Sequence, residues 1–190
     1  MKAVLLKEYG GPEQMYIGEC ERPELKEGEI LVRVEASALN RADTVQRKGR
    51  YPPPPGASAI LGLECAGVVE EIGPKCDGCR VQVGDRVAGL LTGGGYGQYC
   101  TMPHSLAIPV PETLSFEQAA AIPEVWMTAY QVLFFVADIE AIRPEFVLIH
   151  AGASSVGIAA TQLAKMAGSK VIITCGSQVR TLPIFSTLLL

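Results

Sequence analysis

The sequence predicts an α/β chain in two parts, a β-rich region over roughly the first 110 residues and then a single strand–helix–strand unit. Three observations predict it. Short apolar runs recur between Gly- and Pro-rich turns in the first part. Ser115-Phe-Glu-Gln118 then has the form of a capping box, Ser at the N-cap and Gln three residues on, ahead of an alanine-rich stretch. Beyond it, two continuous apolar runs flank a turn of small residues and a helix-like segment, the order of a βαβ unit.

Taken in order, Ile30, Val32, Val34 and Ala36 alternate with Leu31, Arg33 and Glu35, the pattern of a half-buried strand. Leu63 to Ile72 reads as a second strand, interrupted by Gly67. Val81 to Leu91 reads as a third, broken by the turn Gly84-Asp85. The clusters Gly10-Gly11-Pro12, Pro52 to Gly56, Gly73-Pro74 and Gly93-Gly94-Gly95 separate them, which suggests a compact barrel or sandwich. The stretch after Ser115 reads as helix to Val136, split by Pro123. Phe146 to His150 has the continuous apolar character of a buried parallel strand. Ala151 to Gly157 is a turn, Ile158 to Ala167 a helix ending at Gly168, and Val171 to Thr174 the returning strand. The segment from Val179 to Leu190 shows no helical face and does not continue the βα pattern.

Composition bounds the function classes. At ~150 residues per domain, the 190 residues allow one domain, or one domain and part of another. Apolar residues make up 48%, enough for a core and against global disorder. A net charge of −4 gives no basic footprint, so no nucleic-acid partner is expected. No apolar run reaches the length of a membrane span, and the apolar stretch at the N-terminus is too short for a signal peptide. A cytoplasmic protein with no membrane partner is the expectation. Six cysteines are too few for a disulfide scaffold. Cys76-Asp-Gly-Cys79 lies in a loop by composition, and the two histidines, His104 and His150, stand alone in the sequence. Reduced loop thiols are the plainer reading of this CxxC, beside a metal or redox role.

The chemistry concentrates in Gly152-Ala-Ser-Ser-Val-Gly157, between a strand and a helix. Dinucleotide-binding folds need a tight turn there, a backbone that approaches pyrophosphate closely, and the free N–H groups of a helix N-terminus. Gly152 and Gly157 match the outer glycines of GxGxxG, and Ser154 replaces the middle one. An ordinary βα turn is the alternative. NAD sites usually end the second strand with an acid that bonds the ribose 2′-hydroxyl. Here Thr174-Cys175-Gly176-Ser177 has none, Gly176 and Ser177 can donate to a 2′-phosphate, and NADPH is favoured over NADH. Asn40, Arg41 and Asp43 read first as a surface turn with local side-chain bonds. Tyr51 can pack on its proline run, and Thr128 can back-bond within its helix. No catalytic triad or carboxylate pair assembles, so a bound cofactor would carry any chemistry.

Seven ordered segments together resemble a known family. They are Ala38-Leu-Asn-Arg-Ala-Asp43, Gln46 to Gly56, Leu61-Gly-Leu-Glu64, Val83-Gly-Asp-Arg-Val87, Gly93 to Tyr99, Ala119 to Glu124, and Ile149 to Ser154. The resemblance is to the zeta-crystallin-like, tumour-suppressor-inducible quinone oxidoreductase branch of the zinc-free medium-chain dehydrogenase/reductases, and it runs from Met1 to about Gln178. It implies a GroES-like N-terminal domain over 1–120, a partial NADP-binding Rossmann domain over 121–178, and a divergent apolar tail over 179–190. The implied activity is NADPH-dependent reduction of quinones, with a quinone as substrate partner. By the same resemblance, Asn40 lies near the nicotinamide, Tyr51 shapes the quinone pocket, and Thr128 contacts the cofactor. Ser154, Ser155 and Val156 line the pyrophosphate turn with Gly152 and Gly157, while Gly176 and Ser177 face the 2′-phosphate. The zinc-dependent branch carries Cys where Asn40 stands and His where Leu63 stands, so no catalytic metal is implied.

Three departures qualify these expectations. Ser155 replaces a Gly common in the family's turn, which adds strain if its φ is positive. Val179-Arg180-Thr181 replaces a Lys-rich helix, leaving the family's phosphate-binding Lys without a counterpart. The rest of the family's Rossmann sheet does not follow, so a truncated form is expected, and the family's dimer is in doubt. A catalytically dead relative, acting as a binding or degraded product, is the alternative to the reductase. Alcohol dehydrogenase and enoyl reductase readings rank below both.

Overall fold

The computed structural model of the chain describes residues 1–176. Ser177, Arg180 and the apolar tail lie outside the described residues. Two compact units divide the chain, Met1–Glu124 and a second that begins at Val125.

The first unit is built on a five-stranded antiparallel sheet. Its strands are β3 (Glu29–Ala36), β4 (Glu64–Ile72), β5 (Arg86–Leu90), β6 (Tyr99–Pro103) and β7 (Ile108–Pro109), in the order β6-β3-β4-β5-β7. A separate antiparallel pair, β1 (Lys2–Leu6) with β2 (Met15–Glu19), joins the unit through a bridge between Ala3 and Gly97. The alternation read between Ile30 and Ala36 produces β3, with Ile30 and Val32 in the core beside Cys65, Val69, Val87, Cys100 and Met102. Strands β4 and β6 both pair with β3 and not with each other. The sheet nevertheless curls enough to bring the Cys65 and Cys100 sulfurs to 3.4 Å.

Two local differences from the sequence reading are instructive. Residues Val81 to Asp85 form a turn ahead of β5 and not the first half of a strand. The Asp85 carboxylate accepts from the Gln82 N–H there, and Gly84 takes φ +94°. The region read as β also contains a helix, α1 (Arg41–Arg47), with Asn40 at its N-cap. Asp43, three residues into that capping pattern, accepts from the Asn40 N–H at 2.7 Å. The local bond expected for this turn is therefore present, but Asp43 is buried and not on the surface.

The capping box at Ser115 is formed in both directions, and it starts α2 (Phe116–Ala120). Pro123 opens the next helix, α3 (Pro123–Tyr130), at the first-turn position where its missing N–H costs nothing. The helix continues as a widened π turn over Gln131–Val136, closed by the Ala137 N–H on the Val132 carbonyl.

In the second unit, α4 (Ile139–Ile142) precedes the βαβ unit of β8 (Phe146–Ile149), α5 (Ser155–Met166) and β9 (Lys170–Ile173). The two strands pair in parallel, Phe146 opposite Lys170 and Ile149 opposite Ile173. Val147, Ile149 and Val171 pack against Ala159, Ala160, Leu163 and Ala164. The expectation that β8 is buried on both faces is corrected: Phe146 and Leu148 are 53% and 56% exposed. Among the described residues, helix cover lies on the Val147 and Ile149 side. Helix α5 also begins three residues before the predicted Ile158. Ser154 caps it by accepting from the Gly157 N–H at 3.0 Å, so half of the predicted turn is the helix's first turn. Gly168, at φ +90°, ends it as read.

Candidate functional site

The expected site residues fall on both units, and each group is described within its own. In the first unit, three acids and an amide gather around the start of β4. The segment Ile60–Gly62 lies against Gly94–Tyr96 through three main-chain bonds: Gly94 N–H to Ile60, Gly95 N–H to Gly62 and Tyr96 N–H to Leu61. Gly62 takes φ +103°, and a Cβ there would stand 2.6 Å from the Tyr96 nitrogen. This close approach connects two of the sequence motifs and holds Glu64 beneath Gly95. The Glu64 carbonyl accepts from Ser37 Oγ at 2.6 Å.

Glu64 is only 1% exposed. Its Oε1 accepts from Asn40 Nδ2 at 2.6 Å, and its Oε2 accepts from the Glu124 N–H at 2.8 Å, at the start of α3. Burial pushes the Glu64 carboxyl up from its usual range, and the Asp43 charge adds to this. The two donated bonds work the other way. Burial likewise raises Glu124, with Glu64 and Asp43 as further causes. The Tyr96 hydroxyl donates to the Ala38 carbonyl at 3.3 Å, and burial beside Asp43 keeps it protonated far above its ordinary range. Asn40 is thus held twice, its main-chain N–H by Asp43 and its amide by Glu64. The sequence reading singled out Asn40 and missed Glu64, Tyr96 and Glu124 as its surroundings. A signal existed: Glu64 is an acid inside the otherwise apolar run Leu61–Gly67, and a carboxylate seldom sits in a buried strand without partners.

Tyr51 is exposed at the start of its proline run. The loop thiols Cys76 and Cys79 contact different main-chain carbonyls, Glu29 and Val81. No group of three or more His, Cys, Asp or Glu among the described residues is arranged to hold a metal ion.

In the second unit, the turn between β8 and α5 is a cradle of small residues. A Cβ on Gly152 would stand 2.5 Å from the Ile173 Cβ, and one on Gly157 would stand 2.5 Å from the Ala151 carbonyl oxygen. Both glycines therefore let the helix pack closely on the strands. Gly152 donates to the Thr174 carbonyl at 2.9 Å, tying the turn to the end of β9. Ser154 uses its hydroxyl on the Gly157 N–H. The N–H groups of Ser155 and Val156, in the first helical turn, have no intrahelical acceptor. Ser155 is helical, so the positive φ that would strain a serine there does not arise. The left-handed residue is Ala151, at φ +53°. The end of β9 runs through Thr174, Cys175 and Gly176 without an acid, and Thr174 Oγ1 lies 3.1 Å from His150 Nδ1. Thr128 is half-buried on α3. Ser177 lies outside the described residues.

This arrangement fits a pyrophosphate-bearing group. A helix of twelve residues begins at a turn of small residues with two first-turn N–H groups that have no intrahelical acceptor, and no carboxylate stands in Thr174–Gly176 at the end of the second strand to repel a phosphate.

Known proteins resemble the chain in sequence and in fold. Residues 26–112 match the alcohol dehydrogenase GroES-like domain. The chain is 39% identical over 166 residues to the zebrafish (Danio rerio) synaptic vesicle membrane protein VAT-1 homolog, covering 86% of this chain and 33% of that protein. It is 34% identical over 180 residues to mouse (Mus musculus) quinone oxidoreductase, covering 94% of this chain and 53% of that one. Among solved structures, Escherichia coli quinone oxidoreductase complexed with NADPH superimposes with a TM-score of 0.85 at 32% identity, over 98% of this chain and 56% of the other. The chain thus spans about half the length of the quinone oxidoreductases and a third of the vesicle protein.

Proposed function

For a chain that belongs to the quinone-oxidoreductase-like side of the medium-chain dehydrogenase/reductases, we propose NADPH-dependent reduction of quinones. The observation that carries the reading is the Gly152–Gly157 cradle, followed by an acid-free end of β9. NADPH, when bound, supplies the hydride. The N–H groups of Ser155 and Val156 hold the pyrophosphate, with Gly152, Ser154 and Gly157 shaping the approach. Thr174 and Gly176, with Ser177, receive the 2′-phosphate, which an Asp or Glu at this place would repel. Thr128 contacts the cofactor from α3. Asn40 faces the nicotinamide, and Tyr51 borders the quinone.

Titration of the 190-residue chain with NADPH and NADH by calorimetry, followed by assays with a soluble quinone and an enoyl thioester, tests the reading. Tighter binding of NADPH and turnover of the quinone are expected. Turnover of the thioester alone moves the chain to the enoyl reductases. Absence of binding by either nucleotide overturns the proposal and leaves the inactive relative.

A further inference from the structure

We propose that Cys100 and Cys65 form a paired-thiol oxidation site within the first unit, where a peroxide arriving beside Cys100 is reduced and a Cys65–Cys100 disulfide is made. The inference is independent of the NADPH reading. All six cysteines of the chain are free thiols. Cys65 and Cys100 differ from the rest in facing each other. Their sulfurs stand 3.4 Å apart, and both residues are buried among Ile30, Val32, Val69 and Met102. They come from β4 and β6, strands that do not pair with each other, so the two thiols meet inside the curl of the sheet. The loop thiols Cys76 and Cys79, by contrast, turn to separate main-chain carbonyls.

A cavity of about 490 Å³ in the same unit separates the two roles. Cys100 is on its wall with Ser58, Leu91, Gly93, Gly94 and Met102, and Cys65 is not. A Cβ on Gly94 would stand 3.4 Å from the Cys100 Cβ, so the bare glycine leaves that flank of Cys100 uncovered. Cys100 therefore meets an incoming molecule first. The hydrogen bond to Cys100, with burial, pushes the Cys65 thiol well up, so Cys65 keeps its proton until a second step can use it.

Two steps balance the reaction. The Cys100 sulfur attacks one oxygen of hydrogen peroxide. An S–O bond forms, the O–O bond breaks, and the other oxygen leaves as water with the Cys100 thiol proton. The Cys65 sulfur then attacks the sulfenic sulfur of Cys100. The S–S bond forms, the S–O bond breaks, and the hydroxide leaves as a second water with the Cys65 proton. Two thiols are oxidised and one peroxide is reduced. The sulfurs close from 3.4 Å to about 2.05 Å, and the product is uncharged, as its apolar surroundings demand.

The test uses the 190-residue chain carrying Cys76→Ser and Cys79→Ser, which removes the loop dithiol as a competitor. Hydrogen peroxide is added to the native protein, remaining thiols are blocked with N-ethylmaleimide, and peptides are mapped by mass spectrometry beside thermal melts. The expected product is a Cys65–Cys100 cross-link, two hydrogens lighter than the separate peptides. Its unfolding midpoint should rise, because the bond joins positions 35 residues apart. The order is read with dimedone, which labels sulfenic acids. Cys65→Ala should trap label at Cys100 about tenfold more than Cys100→Ala traps it at Cys65. Cys65→Val takes the place of the alanine variant if the latter does not melt cooperatively. Cross-linking only in urea-unfolded chain overturns the proposal. So does oxidation of Cys20, Cys175 or Met102 that leaves both core thiols free, and so does label that prefers Cys65.

Discussion

Strands β4 and β8 are both rich in apolar residues, yet they meet opposite fates. Residues Glu64 to Gly67 of β4 are buried without a break, since that part of the strand is central in its sheet and helix α2 lies over Ala66. In β8 every second residue is exposed, and Ile172 on its partner β9 is 50% exposed as well. An apolar run therefore encodes a strand's capacity for two-sided burial, while the neighbours decide whether that capacity is used.

The comparison breaks most sharply at the core. Ile30→Ala in the first unit should lower stability by about 2–5 kcal/mol, because the residue is fully buried among tightly packed neighbours. Leu148→Ala should change it by no more than about 0.5 kcal/mol. Urea unfolding followed by circular dichroism measures both, and the single tryptophan, Trp126, reports separately on the second unit. Equal losses at the two positions would show that the open face of β8 is covered in solution.

Next in size is overpacking within the second unit. Gly152→Ala should cost about 1–3 kcal/mol, since its Cβ collides with Ile173, a β-branched residue with little room to give. Gly176→Ala, with nothing within 4 Å of the new atom, serves as the control. The two helix caps come below that. Ser115→Ala in the first unit and Ser154→Ala in the second should each cost about 1 kcal/mol. In the second, the loss should also weaken NADPH binding, as the start of α5 frays. Equal binding by the capped and uncapped helix would separate its stability from the anion site.

The smallest effect is a slope. Burial raises the Glu64 and Glu124 carboxyls, so the folded chain holds these protons more tightly than the unfolded one. Their contribution is fully present below the unfolded carboxyl value and is lost as pH rises through the folded values. Glu64→Gln cannot titrate. Its melting temperature relative to wild type should therefore climb as pH rises above the unfolded carboxyl value of about 4, and a constant difference would refute the assignment.

Much of this was legible in the chain itself. Alternation marked β3, the capping box marked α2, and Gly168 marked the end of α5, because each depends on residues close in sequence. Helix α1 was hidden, since its seven residues carry no long apolar period and only the Asn40–Asp43 cap announces it. The Asn40–Glu64–Glu124 cluster was hidden for another reason. Its members are separated by 24 and 60 residues and meet only through the curl of the sheet and the start of α3. Whether Ser155 carries a positive φ was not legible: Ser154 takes the N-cap and makes its successor helical, and the left-handed residue of the turn is Ala151.

The close approach of Gly62 to the Gly95–Tyr96 main chain has a practical consequence for mutagenesis libraries. What a side chain at Gly62 strikes is backbone, and a Cβ at Gly95 would in turn stand 2.7 Å from the Glu64 carbonyl. No compensating substitution at the opposite position removes either collision. Combinatorial variation of these two loops, aimed at the surroundings of Asn40, should treat Gly62 and Gly95 as invariant anchors and spend its diversity at exposed Tyr51 and its neighbours.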